Sequence, residues 1–254
     1  MPLVSLVIAL LTAAGPAART AAVKAAPPPP LSVNIVHHRL KRGTPAAYQA
    51  LEATIVNAYE RAKVPLYWIT FQSTRDPRDI LYLNVFDSHD GMRRAADTYR
   101  ALSPSHPELG RLSSRLAAML EVQTSVLTTR REEVTYTRPD VDFQTLRAMT
   151  VVTFRVKPGH EGKFMEAVRK AGASGAPWMV YEANEESTFA LLAPMRTRAE
   201  ATHPAPIPRP LKELRGVYVK ATTEVYALMP TMSRLPTEMA LARSKNAAPK
   251  PRAH

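Results

Sequence analysis

The stretch MTVVTFRVKPGHEGKFMEAVRKAG, residues 149 to 172, decides the fold. From Thr150 to Lys157 apolar and polar side chains alternate, the period of a half-buried strand. Pro158-Gly159 turns the chain, and Phe164, Val168 and Ala171 then recur at helical spacing. The same order stands earlier, in SVNIVHHRLKRGTPAAYQALEATIVNAYERAKV, residues 32 to 64. There an alternating strand from Ser32 to Lys41 reaches Gly43. Thr44 follows as a helix N-cap and Pro45 suits the first helical position. Tyr48, Leu51, Ile55, Tyr59 and Ala62 form one apolar stripe. Gly43 and Gly159 align, so the chain starts over near residue 148.

The correspondence continues outward. After each helix comes a Pro and an aromatic-rich strand, VPLYWITF (64 to 71) and APWMVY (176 to 181), and the two tryptophans of the chain, Trp68 and Trp178, fall at matching places. A third strand follows in each half, DILYLNVF (79 to 86) and STFALLAP (187 to 194). The next segment is helical in the first half, Asp90 to Tyr99 and Pro107 to Leu120. In the second half it is HPAPIPRP (203 to 210), where a long helix cannot run. EEVTYTRP (132 to 139) and TEVYALMP (223 to 230) read as the closing strands.

Strand, helix, strand, strand, helix, strand, written twice, predicts an α+β fold of tandem ferredoxin-like (βαββαβ) repeats. Each four-stranded antiparallel sheet carries helices on one face only and needs cover on the other. The two sheets are therefore expected to stack as an intrachain pseudo-dimeric barrel with helices outside. The boundaries read as a signal peptide and Pro-rich spacer (1–30), a first repeat (31–139), a link (140–147), a second repeat (148–232) and a disordered basic tail (233–254).

TVVTFRVKPGHEGKFMEAVRK, with its strand, Lys-Pro-Gly turn and helix, and the Pro-Trp strand after it resemble the dimeric α/β-barrel superfamily. That group includes antibiotic-biosynthesis-monooxygenase-like, EthD-like and NIPSNAP-like proteins. The resemblance covers about residues 32 to 230 as two fused copies. It implies a small-molecule pocket between sheet and helices, or a structural role without a ligand, and it does not settle function.

Composition narrows the classes. Of the formal net charge of +12, six positive charges lie in the two ends, at Arg19, Lys24, Arg243, Lys245, Lys250 and Arg252, which leaves +6 for residues 31 to 240. The centre is thus only mildly basic, and a nucleic-acid partner is not expected. DILYLNVF and STFALLAP also lack the Gly and basic residues of RNA-recognition strands. With no cysteine in the chain, disulfides, thiolate metal sites and a Cys nucleophile drop out. Leu3 to Ala14 is too short to span a bilayer but fits the apolar region of a secretory signal, although no positive charge precedes it. Export to the periplasm or medium is the expectation, with cleavage near Ala14 to Ala22 and no stable membrane span afterwards.

His37 and His38 are adjacent on a strand and point to opposite faces, so they cannot share a metal ion. With Gly43 set on Gly159, His38 stands opposite Phe154 and shares a face with Val36 and Leu40, the face beneath the helices. It reads either as a pocket acid/base or as a haem or substrate contact. The competing reading is a hydrogen-bonded core histidine. Tyr48, Trp68 and His106 are its candidate neighbours in a ligand site confined to the first repeat. His106-Pro107 reads equally as loop punctuation. Tyr67, Trp68, Phe71 and Tyr82 are packing aromatics, some of which could line a cavity. GHEGKF (159 to 164) lacks phosphate-loop spacing, and no GxSxG or HExxH motif is present. No metal site and no cofactor are called for.

Three functions stay open from the sequence. The first is an exported protein that binds a small hydrophobic or aromatic ligand. The second is a cofactor-light monooxygenase-like enzyme acting on an aromatic or quinol compound. The third is a non-catalytic scaffold. A further homodimer is compatible with each.

Overall fold

Gly43 and Gly159 stand at φ of 77° and 79°, the left-handed region that a Cβ disfavours. At each of them a strand gives way to a helix in the computed structural model. The structure describes residues 31–235 apart from 87, 137–144, 174, 176–177, 184–186, 198, 203–206 and 215. The expected leader, most of the link, His203 to Pro206 and the chain beyond residue 235 lie outside the described residues.

The first repeat runs β1 (Ser32–Leu40), α1 (Pro45–Arg61), β2 (Ile69–Ser73), β3 (Asp79–Phe86), α2 (His89–Ser105), α3 (Pro107–Ala117) and β4 (Leu120–Arg130). The second runs β5 (Ala148–Val156), α4 (Glu161–Ala173), β6 (Met179–Ala183), β7 (Thr188–Met195), α5 (Arg209–Lys212) and β8 (Tyr218–Leu228). Each repeat forms one antiparallel sheet, in the orders β4-β1-β3-β2 and β8-β5-β7-β6. Pairing of β2 with β8 and of β4 with β6 joins them into a closed eight-stranded barrel. The expected pair of sheets is thus two walls of one barrel, and closure covers the faces that the helices leave bare.

Strand alternation then sorts the side chains into three cores. Phe71, Leu81, Met149, Tyr181, Leu192 and Tyr226 pack inside the barrel. Leu40, Tyr48, Ile55, Ile80 and Leu109 pack between the first sheet and its helices. Phe154, Phe164, Val168, Phe189 and Leu211 do so in the second repeat. Among the described residues no helix is long and apolar enough to cross a membrane.

Three expectations are corrected. The first repeat closes with Leu120–Arg130, not with residues 132 to 139, of which Glu132–Val134 form a short 3-10 turn. Val122, Thr124, Val126 and Thr128 alternate through that strand, a β-branched period of two. The last strand of the second repeat starts at Tyr218, ahead of the expected Thr223. Ser233 and Arg234, read as tail, are buried. Trp68 lies just before β2, and Arg234 supplies its backbone with the two bonds it would otherwise lack: Trp68 N donates to Arg234 O and Arg234 N to Trp68 O, both at 2.9 Å.

Candidate functional site

The apolar face of α1 carries one acid. Glu52 lies one helical turn after Tyr48, so both face the sheet, and Glu52 is only 3% exposed. Beneath it, β1 directs Asn34, Val36, His38 and Leu40 toward the helices. Tyr82 of β3 pairs across from Val36 and so stands diagonal to His38 on the same face.

These four polar groups form one cluster. His38 Nδ1 lies 2.5 Å from the Tyr48 hydroxyl, which lies 2.7 Å from the Tyr82 hydroxyl. Both tyrosine hydroxyls also lie near enough to the Glu52 carboxyl to favour its charged form. Burial pushes His38 down to about 4, with nearby His37 adding to the effect. Burial pushes Glu52 up to about 7, against this effect of Tyr82 and Tyr48. Desolvation and the Glu52 charge raise Tyr48 and Tyr82 far above the ordinary phenol range. At neutral pH the cluster therefore holds a neutral imidazole, two phenols that keep their protons, and one carboxyl at its midpoint.

The second repeat contains the same place without the chemistry. The offset that carries Gly43 to Gly159 carries His38 to Phe154, Tyr48 to Phe164 and Glu52 to Val168. Val152, the counterpart of Val36, pairs with Leu191 where Val36 pairs with Tyr82. All four replacements are buried and apolar, and Phe154 and Phe164 pack with ring centroids 5.0 Å apart. The fold closes over this position without any polar group, so the cluster in the first repeat is not required by the architecture.

An open cavity of about 1760 Å³ lies against the cluster, between the first sheet and its helices; contrary to expectation it is not confined to the first repeat, because Ala183 and Thr188 of the second also line it. His38, Glu52 and Tyr82 reach it from one side, Tyr59, Tyr67 and Trp68 from another, and Met92 to Tyr99 of α2 from above. Asn34, Asn84, Gln123 and Ser125 add polar groups along the sheet. Trp68 is fixed by Nε1 donating to Met232 O at 2.7 Å and by an edge contact with Tyr59 at 5.2 Å. With Nδ1 of His38 on Tyr48, Nε2 is the nitrogen left for the cavity, and no hydrogen bond to it occurs among the described residues.

Of the residues singled out from the sequence, His38 and Trp68 line this cavity. Tyr48 stands behind His38 with no exposed surface. His106 does not line it: it sits at the joint of α2 and α3, where its backbone N–H donates to Leu102 O at 2.8 Å and its ring is 3.4 Å from Glu108. His37 faces the other way and pairs with Asp79. The sequence reading missed Glu52 and left Tyr82 among the packing aromatics. The signal for Glu52 was its position on the stripe of Tyr48, Ile55 and Tyr59. Among the described residues no group of three or more His, Asp or Glu side chains is placed to hold a metal ion.

No protein-family model and no curated protein matches the chain. Solved structures do share its fold. A candidate monooxygenase from Fusobacterium nucleatum superposes with a TM-score of 0.55 at 8% identity, over 78% of this chain and 91% of that one. An anthrone oxidase-like protein superposes with a TM-score of 0.55 at 13% identity, over 81% of this chain and 94% of that one. Coverage of that extent reaches across both repeats. At these identities the likeness is one of fold.

Proposed function

We propose that this chain, which has the dimeric α/β-barrel fold with both copies in one polypeptide, binds a small aromatic compound in the cavity against the first-repeat cluster and that His38 accepts an acidic proton from it. The observation that carries the reading is the polar cluster of one repeat opening onto a cavity, where the other repeat has only Phe, Val and Leu. A buried polar group is retained at a cost of a few kcal/mol when nothing in the fold needs it, and lining a ligand site accounts for that cost.

The cavity wall suits an electron-rich ring, with Tyr59, Tyr67 and Trp68 offering faces and edges for stacking. His38 is neutral at physiological pH and offers a lone pair at Nε2 to a hydroxyl or an acidic C–H. Removing that proton leaves an electron-rich anion, which dioxygen can oxidise directly. For an activated methylene, CH₂ plus O₂ gives a carbonyl and water, so the atoms balance with oxygen as the only oxidant. Monooxygenase-type chemistry is therefore the reaction this geometry serves best. The fold shared with a candidate monooxygenase and an anthrone oxidase-like protein supports that direction.

The test is calorimetric titration with anthrone, hydroquinones and naphthols, followed by an oxygen electrode on any compound that binds. Binding that weakens by about tenfold or more in His38→Phe, the loss of one good hydrogen bond, supports the site. Oxygen uptake that depends on His38 supports the reaction. Binding without oxygen uptake leaves a binding protein, and no binding by any of these compounds overturns the reading.

A further inference from the structure

The cluster also indicates where an abstracted proton would go. Resting on the ligand site above, we infer that Glu52 is the terminal proton acceptor, reached from His38 through Tyr48 and Tyr82.

Hydrogen-bond distances carry the first two links, and the acidity of Glu52 responds to both phenols. Nδ1 of His38, the Tyr48 hydroxyl and the Tyr82 hydroxyl follow one another at 2.5 and 2.7 Å. In the accepting state His38 carries its hydrogen on Nδ1 and donates it to the Tyr48 oxygen. A proton arriving at Nε2 releases the one on Nδ1 to Tyr48. The proton of Tyr48 passes on to the Glu52 carboxylate, directly or through Tyr82, whose own proton moves to the carboxylate as it accepts. The sum is ligand O–H plus Glu52 carboxylate giving ligand anion plus Glu52 carboxylic acid. His38 ends neutral, with its hydrogen on Nε2.

Two physical arguments favour this route over His38 as the final resting place. The first is charge. A buried imidazolium beside a new ligand anion adds two charges to an apolar site, whereas transfer to Glu52 only moves one negative charge from carboxylate to ligand. The second is proton affinity: burial lowers His38 to about 4, while Glu52 is raised to about 7, close to neutrality. Tyr82 and Tyr48 act on the acidity of Glu52, and its charge is felt by Tyr59 on its own helix and Tyr99 on α2. The cations on the same side are Arg93 and Arg94 of α2, which line the cavity, and Arg234, held on the Tyr59 carbonyl; among the described residues none of them forms an ion pair with Glu52.

The second repeat shows that the relay was not inherited as packing. Phe164 and Val168 replace Tyr48 and Glu52 at equal burial, so neither a hydroxyl nor a carboxyl is needed to fill the space.

The probe is 4-nitrophenol, whose ionised form is coloured, with the full chain and its Glu52→Gln and Tyr48→Phe variants. Difference infrared spectra record whether a neutral carboxylic acid band grows when the probe binds. In the wild type at pH 7.5, an experimental setting above the Glu52 midpoint, bound probe should be ionised and the acid band should rise. In Glu52→Gln the band change should vanish. Tyr48→Phe, tolerated at the matching place in the second repeat, breaks the path and leaves both end groups, so after rapid mixing the acid band should grow about tenfold or more slowly. An acid band that survives Glu52→Gln, or that grows as fast in Tyr48→Phe as in the wild type, overturns the relay and leaves the ligand site standing. Failure of the wild type to bind overturns both.

Discussion

His38 and Phe154 occupy the same point of the same fold: each lies five residues before the glycine that turns its strand into a helix, and each is at most 7% exposed. One keeps a hydrogen bond to a tyrosine hydroxyl at 2.5 Å, the other packs on a phenylalanine ring. The duplication thus contains its own control for what the architecture needs.

His38→Phe is accordingly expected to fold. It loses one buried hydrogen bond, about 1 kcal/mol, and gains apolar burial of similar size, so stability at pH 7 should change by about 1 kcal/mol or less. The acid response should differ more. The folded-state value of His38 is depressed to about 4 from 6.5. Its contribution is therefore fully present above pH 6.5 and is lost as pH falls through 4. Urea titrations should show the wild type losing stability relative to His38→Phe across that window. A variant that unfolds at pH 7 would contradict the equivalence of the two repeats.

Glu52 carries the opposite dependence. In the unfolded chain its carboxyl loses its proton near 4.5, whereas the native protein keeps it to about 7. Between those values the native state binds more protons, so stability falls as pH rises. Glu52→Gln removes this response. The two proteins should be alike near pH 4.5, and the variant should be the more stable by on the order of 3 kcal/mol above pH 7. Equal stabilities at both ends would mean that Glu52 is not raised.

Much of this was legible from residues alone, and the failures have physical causes. The alignment of Gly43 with Gly159 gave the repeat, because a left-handed residue after a strand is a backbone demand that sequence displays directly. His38 stood out because an imidazole faced a phenyl ring in the sister copy. Glu52 did not, because an acid on a helix is ordinarily solvated. Only the offset to Val168 marks it. The closing strand Leu120–Arg130 was overlooked because its middle is exposed: alternation without burial looks like polar connection. Arg234 was taken for tail because its partners, Trp68, Leu66 and Tyr59, are distant in sequence.

Gly172 illustrates a packing demand that sequence hides. A Cβ there would stand 1.7 Å from Cε2 of Tyr136, whose backbone N–H donates to Trp178 O at 2.8 Å. Gly172→Ala must push that ring off α4 and should cost roughly 1 to 3 kcal/mol, measured by thermal unfolding. In a Tyr136→Ala background, where the ring is already gone, the same substitution should be neutral or slightly stabilising through helix propensity. Equal costs in both backgrounds would show that Tyr136 is not the obstacle.

The chain end after Met232 should matter to the candidate site, although it lies outside the cavity wall. Ser233 Oγ accepts from Thr70 N at 2.9 Å, and Arg234 holds both backbone bonds to Trp68. The Arg234 guanidinium reaches the carbonyls of Leu66 and Tyr59 and lies 5.0 Å from the Tyr67 ring centroid. Tyr59, Leu66, Tyr67 and Trp68 all line the cavity, so the same few residues fix that wall. A chain ended after Leu235 keeps every one of these contacts, whereas one ended after Met232 leaves both backbone groups of Trp68 and the Thr70 N–H without these partners. At about 1 kcal/mol for each lost hydrogen bond, the shorter chain should be less stable by roughly 2 to 5 kcal/mol. With Trp178 changed to Phe, Trp68 is the only indole in the chain, and its emission should shift to the red in the shorter chain as water reaches the wall. Ligand binding should weaken in parallel. Identical emission and stability in the two truncations would show that Ser233 and Arg234 do not hold Trp68 in place.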